Sequence, residues 1–114
     1  MAARTLDLVI ELTDVYTKKN YPGLNRRARK MREADRLAKI SGDAQTIKYA
    51  DIIDNVTNIF VNDPDFAVVF TQEGRYALRK MEKGDEELFD KANKMIEDCL
   101  DLMNEHETLN RLHP

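Results

Sequence analysis

The sequence predicts an all-α protein of about five helices. Apolar residues recur every three or four positions in five segments, which is the periodicity of an amphipathic helix. Glycine, proline, asparagine and aspartate cluster between these segments, where they end helices and form turns. Of 114 residues, 42% are hydrophobic and 34% are charged, which suits one small core with well-solvated outer faces. We expect no sheet, because the run with strand propensity at 68–71 has no partner run of similar character.

The first two predicted helices cover about residues 3–13 and 24–40. In the first helix, Leu6 and Val9 recur at helical spacing and belong to the predicted core. The second helix has a thinner apolar stripe and ends before Gly42, since glycine suits a helix C-terminus.

The third predicted helix, residues 44–60, has two faces. Its apolar stripe consists of Ile47, Ala50, Ile53, Val56 and Phe60. A second stripe contains Lys48, Asp51 and Asn55, whose spacing makes the side chains project in one direction. A lysine, a carboxylate and a carboxamide on one line can hold a metal or a phosphorylated ligand. On spacing alone, a half-exposed polar face with a weak Lys48–Asp51 pair is the commoner outcome.

The last two predicted helices cover about residues 64–82 and 85–105, and Asp63 is placed to cap the first of them. We predict a single helical domain over residues 1–107 and a frayed tail at 108–114. The predicted core contains Leu6, Val9, Ile47, Ala50, Ile53, Val56, Phe66, Leu78, Leu88, Met95 and Cys99.

Composition argues against several classes of protein. The chain has no apolar run long enough for a membrane and no signal-peptide pattern, and Cys99 is its only cysteine. We therefore expect a cytoplasmic protein without an intrachain disulfide. The net charge of −3 argues against general nucleic-acid binding. The basic residues of 24–39 and the acidic residues of 85–107 are expected to be solvated helix faces or elements that attract each other.

Two parts of the chain resemble a known family. The pair Arg29-Lys30 and the segment 44–55, Ala-Gln-Thr-Ile-Lys-Tyr-Ala-Asp-Ile-Ile-Asp-Asn, resemble the second half of HD-domain phosphohydrolases. The nearest branch is the RelA/SpoT-type alarmone hydrolases, in which an Arg-Lys pair precedes a helix of the type Ile-Lys-Leu-Ala-Asp-x-x-x-Asn. The segment 8–14 is similar to the family's helix that ends in Thr-Asp. The resemblance covers about residues 6–101 and implies half of an HD-domain helical bundle.

The resemblance also implies roles for particular residues. Asp51 matches the family's last metal-ligand aspartate, Asn55 a substrate-contacting asparagine, and Lys48 the lysine that supports this helix. Arg29 and Lys30 are candidates for a phosphate or partner contact. Enzymes of this family hold a divalent metal, typically manganese, and cleave pyrophosphate from a guanosine tetraphosphate-type nucleotide.

The chain departs from the family pattern at the metal site. The family's first histidine, its His-Asp doublet and its Glu-Asp pair have no counterpart in this sequence, and His106 and His113 lie at the wrong end to replace them. One ligand of four remains, at Asp51. We therefore expect no metal and no activity in the isolated chain, and manganese only if another chain completes the site.

Three functions stay open from the sequence. The preferred one is a catalytically incomplete HD-phosphohydrolase-like protein that binds a partner or a phosphorylated nucleotide, with a guanosine nucleotide as the implied ligand. The second is the C-terminal half of a split or truncated manganese-dependent pyrophosphohydrolase, and the third is a small helical structural or interaction module. Without the family's front half, apolar area around Val9, Ile10, Ile52 or Ile59 would be exposed. This predicts a homodimer or a complex with a second chain.

Overall fold

The computed structural model describes the backbone of residues 3–112 and the side chains of residues 3–105. This part of the chain forms five α-helices and contains no strand, so the predicted all-α fold is confirmed. The helices are α1 (Ala3–Leu12), α2 (Arg26–Leu37), α3 (Gly42–Asn62), α4 (Pro64–Lys80) and α5 (Glu86–Leu112).

Side-chain caps mark the N-termini of α3 and α4. Ser41 caps α3, because its hydroxyl accepts a hydrogen bond from Ala44 N at 3.2 Å. Asp63 caps α4 as predicted, with its carboxylate 3.4 Å from Phe66 N. At the other end of the chain, α5 continues to Leu112, beyond the predicted end near residue 105.

Helix α4 lies at the centre of the bundle and contacts α2, α3 and α5. Helix α3 contacts α5 as well, whereas α1 rests mainly on α3 and has no buried residue. The core is drawn from the end of α2, from α3, α4 and α5, and from the loops between them. Its members are Leu37, Ile40, Ala44, Tyr49, Ile52, Val56, Leu78, Met81, Ala92 and Ile96.

The predicted core is correct at Val56 and Leu78, which are fully buried, and wrong in the register of α3. Ile47 and Ala50 are exposed. The buried stripe of α3 consists instead of Ala44, Gln45, Tyr49, Ile52 and Val56. The reason is that α3 buries two polar side chains, so a stripe chosen by apolar character alone is rotated away from the true core.

The other predicted core residues are less buried than expected. Leu6 and Val9 are exposed, since α1 covers only one side of α3 and no described residue covers its outer face. The partly buried members are Ile53, Phe66, Leu88, Met95 and Cys99. Burial raises the pKa of the Cys99 thiol, which makes it less reactive at neutral pH.

Gln45 and Tyr49 join α3 to the connection between α4 and α5. Gln45 Nε2 donates to Leu37 O at 3.0 Å, and Gln45 Oε1 accepts from Lys83 N at 2.7 Å. The Tyr49 hydroxyl donates to Met81 O at 2.9 Å and accepts from Gly84 N at 3.2 Å. Both side chains are therefore buried with their polar atoms satisfied.

Thr71 on α4 is fully buried, and its hydroxyl has no hydrogen-bond partner among the described residues. Such a group loses its hydration without compensation. We expect Thr71→Val to raise the free energy of unfolding by about 1 kcal/mol, measured by urea denaturation. Thr57→Val is the control, because the exposed Thr57 hydroxyl donates to Ile53 O at 2.8 Å and its removal should give no gain. A loss of stability in the Thr71 variant would contradict the prediction.

Candidate functional site

A cavity of about 300 Å³ lies between α2, α3 and α4. Its polar lining includes Lys30 from α2, together with Lys48, Asp51 and Asn55 from α3. The apolar wall consists of Ala34, Leu37, Ile52, Val56, Phe70, Gly74 and Ala77. The predicted polar row of α3 thus borders a concave space that also has a hydrophobic side.

Lys48, Asp51 and Asn55 contact one another within this row. Lys48 Nζ lies 3.0 Å from Asp51 Oδ2, and Asn55 Nδ2 donates to Asp51 Oδ1 at 3.1 Å. The Lys48 side chain is 22% exposed, and that of Asp51 is 46% exposed. An ion pair this close to solvent contributes little to stability, so both partners can exchange it for a ligand at small cost.

The side chains of the predicted pair Arg29 and Lys30 have different surroundings on α2. Lys30 lines the cavity and has no ion-pair partner within the described part of the chain. Arg29 does not line the cavity, and its Nη1 donates to Leu24 O at 2.6 Å. Adjacent residues on a helix point in different directions. Lys30 is therefore available to a ligand in the cavity, and Arg29 holds the loop before α2.

Three acidic residues of the cavity wall have no counterpart in the predicted site: Asp14, Glu33 and Glu73. Glu73 forms a two-pronged ion pair with Arg26, at 2.8 and 2.9 Å. These two residues are far apart in sequence, so no local spacing indicates their contact. Glu33 and Arg36 are three residues apart on α2, and this spacing is the signal that could have indicated their ion pair.

Glu33 is only 8% exposed, and its carboxylate organises the loop after α1. Its Oε1 accepts hydrogen bonds from Val15 N at 2.7 Å and from Tyr16 N at 2.6 Å. Its Oε2 lies 2.9 Å from Arg36 Nη2, and Arg36 also donates to Glu11 O. Glu33 thus contributes a neutralised carboxylate to the cavity wall and fixes the position of the α1–α2 loop.

The hydrogen bonds to the Glu33 carboxylate predict that the fold loses stability in acid. Burial raises the pKa of its carboxyl, but the hydrogen bonds from Tyr16 N, the Arg36 side chain and Val15 N outweigh burial and hold that pKa below its ordinary value of 4.5. A carboxyl whose pKa is lower in the folded state stabilises the fold above the unfolded pKa. That stabilisation is lost as the pH falls through the folded value.

We therefore expect Glu33→Gln to lower the free energy of unfolding at pH 7. The difference from the wild type should shrink as the pH falls below 4.5. Chemical denaturation at a series of pH values measures this difference. A difference that is the same at pH 7 and at pH 3 would contradict the assignment.

The side chains present do not fit the manganese site that the family resemblance implies. Asp51 is the matched ligand, and both of its oxygens already accept from Lys48 and Asn55. Among residues 3–105, no three histidine, cysteine, aspartate or glutamate side chains form a group that could hold a metal ion. Within residues 3–105, Asp51 is thus the one family-matched ligand, and it is already hydrogen-bonded to its neighbours.

No helix in the described part of the chain has both the length and the apolar character needed to cross a membrane.

The sequence matches no model of a known protein family, and comparisons with curated proteins and with solved structures also give no match. The resemblance to HD-domain phosphohydrolases therefore rests on the residues of 29–30 and 44–55 and on the segment 8–14.

Proposed function

We propose that this chain is a catalytically incomplete HD-phosphohydrolase-like protein that binds a phosphorylated nucleotide and does not cleave it. The observation that carries the proposal is that Lys30 from α2 and Lys48 from α3 line the same cavity as a set of apolar side chains. A guanosine nucleotide with several phosphates is the ligand that the family resemblance favours. We propose that the protein binds this ligand in the cytoplasm.

The cavity lining offers chemistry for both parts of a nucleotide, and we call the part beside the two lysines the phosphate end. Phe70, Ile52 and Val56 provide an apolar wall against which a planar base can lie. Lys30 and Lys48 supply positive charge for phosphate oxygens. A volume of about 300 Å³ is enough for part of a nucleotide, with the remaining phosphates in solvent.

Local pairing reduces the repulsion that the acidic wall residues would exert on a phosphate. Glu73 is paired with Arg26, and Glu33 with Arg36 and two backbone N–H groups. Asp51 is the carboxylate that competes directly, because Lys48 must leave it in order to reach a phosphate.

Isothermal titration calorimetry with guanosine tetraphosphate tests this proposal. We expect binding that weakens about tenfold or more in Lys48→Ala and in Lys30→Ala, because each removes a cation from the phosphate end. Lys91→Ala is the control, since Lys91 is an exposed lysine of α5 outside the cavity. With manganese added, release of pyrophosphate should equal the protein-free control. Absence of binding at millimolar nucleotide would overturn the proposal.

The Asp51→Asn variant distinguishes a chain that only binds the nucleotide from one that cleaves it. If the chain only binds, removing this carboxylate frees Lys48, and the affinity for the nucleotide should rise. Stability should change by less than about 0.5 kcal/mol, because the pair is exposed. A weaker affinity in Asp51→Asn would count against the binding mode.

The exposed face of α1 favours a second candidate, in which another chain supplies the missing half of a pyrophosphohydrolase. Leu6, Val9 and Ile10 are exposed on α1, Ile10 by 62%, and Ile47 is exposed on the neighbouring α3. Of the other residues predicted to be exposed, Ile52 is buried and Ile59 is half-buried. The uncovered area therefore centres on α1.

Mixing this chain with a second chain that carries the family's histidine, His-Asp and Glu-Asp motifs tests the second candidate. Manganese-dependent hydrolysis that appears only in the mixture and disappears in Asp51→Ala would favour the split enzyme. Hydrolysis unchanged by Asp51→Ala would exclude Asp51 as a ligand of the completed site.

A further inference from the structure

A groove with a basic rim lies on the outer side of the contact between α2 and α4. Met31, Val69 and Tyr76 form its apolar floor, and all three are exposed. Arg27 and Lys30 lie at its rim. An uncovered apolar floor beside two cations is typical of a surface that receives an amphipathic helix.

Two of the three cations that line this groove are not neutralised by any described residue. Arg26 is held by Glu73 and lies over the Phe66 ring, 4.9 Å from its centroid. By contrast, Arg27 and Lys30 form no ion pair with any described residue. A complementary partner must therefore present carboxylates around an apolar side chain.

The far end of α5 has this chemistry. Residues 97–105 contain four acidic residues and no basic one. Within this stretch, Leu102 is 55% exposed, and Asp101 and Glu105 are exposed beside it. Glu97 and Asp98 are paired within the chain, with Arg75 and Arg79 and with Lys94 respectively. Asp101 and Glu105 form no ion pair with any described residue, so two unpaired carboxylates lie beside one exposed leucine.

We propose that the acidic end of α5 of one copy docks in the α2–α4 groove of a second copy. Leu102 would cover the apolar floor, while Asp101 and Glu105 would face Arg27 and Lys30. In its own chain α5 packs on α3 and α4 and does not line this groove. Reciprocal exchange of the two α5 ends gives a closed dimer with two identical contacts.

Light scattering coupled to size-exclusion chromatography tests the dimer. At a few hundred micromolar and low salt, we expect about twice the chain mass of 13.2 kDa. Arg27→Glu should weaken dimerisation about tenfold or more. Arg32→Glu is the matched control, because it reverses the same charge on an exposed residue of α2 that does not line the groove. Circular dichroism confirms that both variants are folded.

A charge exchange identifies the acidic partner. Asp101→Lys alone should also give monomers, and the combination of Asp101→Lys with Arg27→Glu should restore the dimer. Glu87→Lys, at the opposite end of α5, should leave the dimer intact. A monomeric wild type would overturn the proposal. Equal effects of Arg27→Glu and Arg32→Glu, or no rescue in the double variant, would also overturn it.

The dimer proposal and the nucleotide proposal can be tested separately. Arg27 lines the groove but not the cavity, so Arg27→Glu should leave nucleotide binding unchanged. Lys30 lines both spaces and is therefore not used as the test of the dimer.

Discussion

Gln45→Leu should lower the free energy of unfolding by about 3 kcal/mol. The substitution puts an apolar side chain of similar volume in place of Gln45. It removes every polar contact that Gln45 makes. Lys83 N loses its acceptor at 2.7 Å, and Leu37 O loses the donor at 3.0 Å and keeps only the longer bond from Ile40 N at 3.4 Å. Buried backbone groups left without partners cost about 1–3 kcal/mol each.

Urea denaturation followed by circular dichroism measures the effect. Gln72→Leu is the matched control, because Gln72 is exposed on α4 and should change stability by less than about 0.5 kcal/mol. The measurement is made at low micromolar protein, where association between copies is negligible. Equal stability of the two variants would show that the contacts of Gln45 do not hold the bundle together.

Gly84→Ala should be nearly as damaging, with a loss of about 2–3 kcal/mol. A Cβ atom at this position would lie 2.8 Å from Tyr49 Cζ and 2.9 Å from Tyr49 Oη, and it would contact Cε2 as well. The ring is buried and its hydroxyl is held by Met81 O, so it cannot move aside without breaking that bond. The cost is steric, because this glycine does not have a positive φ.

Gly23→Ala provides the control for this prediction. A Cβ at Gly23 meets no atom within 4 Å, so the substitution should leave the midpoint of thermal unfolding nearly unchanged. If Gly84→Ala also melts at the wild-type temperature, the close approach of the α4–α5 connection to Tyr49 is not rigid in solution.

The helices could be predicted from periodicity, but the face that each helix buries could not always be predicted. Val56 and Leu78 follow the rule that apolar residues are buried. In α3 the rule fails, because Gln45 and Tyr49 are buried by virtue of hydrogen bonds to residues more than 30 positions away. Only the tertiary structure supplies those partners.

The same distinction applies to the candidate site. The row of Lys48, Asp51 and Asn55 lies on one helix, so its alignment follows from helical spacing alone. The cavity beside it depends on how α2 and α4 pack against α3. The ion pair between Arg26 and Glu73 joins residues that are 47 positions apart, so neither segment alone predicts it.

The contacts of Gln45 and Tyr49 also determine how the connection between α4 and α5 exchanges its amide hydrogens. Exposed connections usually open locally and exchange rapidly, independently of the rest of the protein. Here Lys83 N and Gly84 N are bonded to buried side chains of α3. These two amides can exchange only when α3 separates from the connection. The connection is thus part of the same cooperative unfolding unit as α3, although the bonded residues are more than 30 positions apart in sequence.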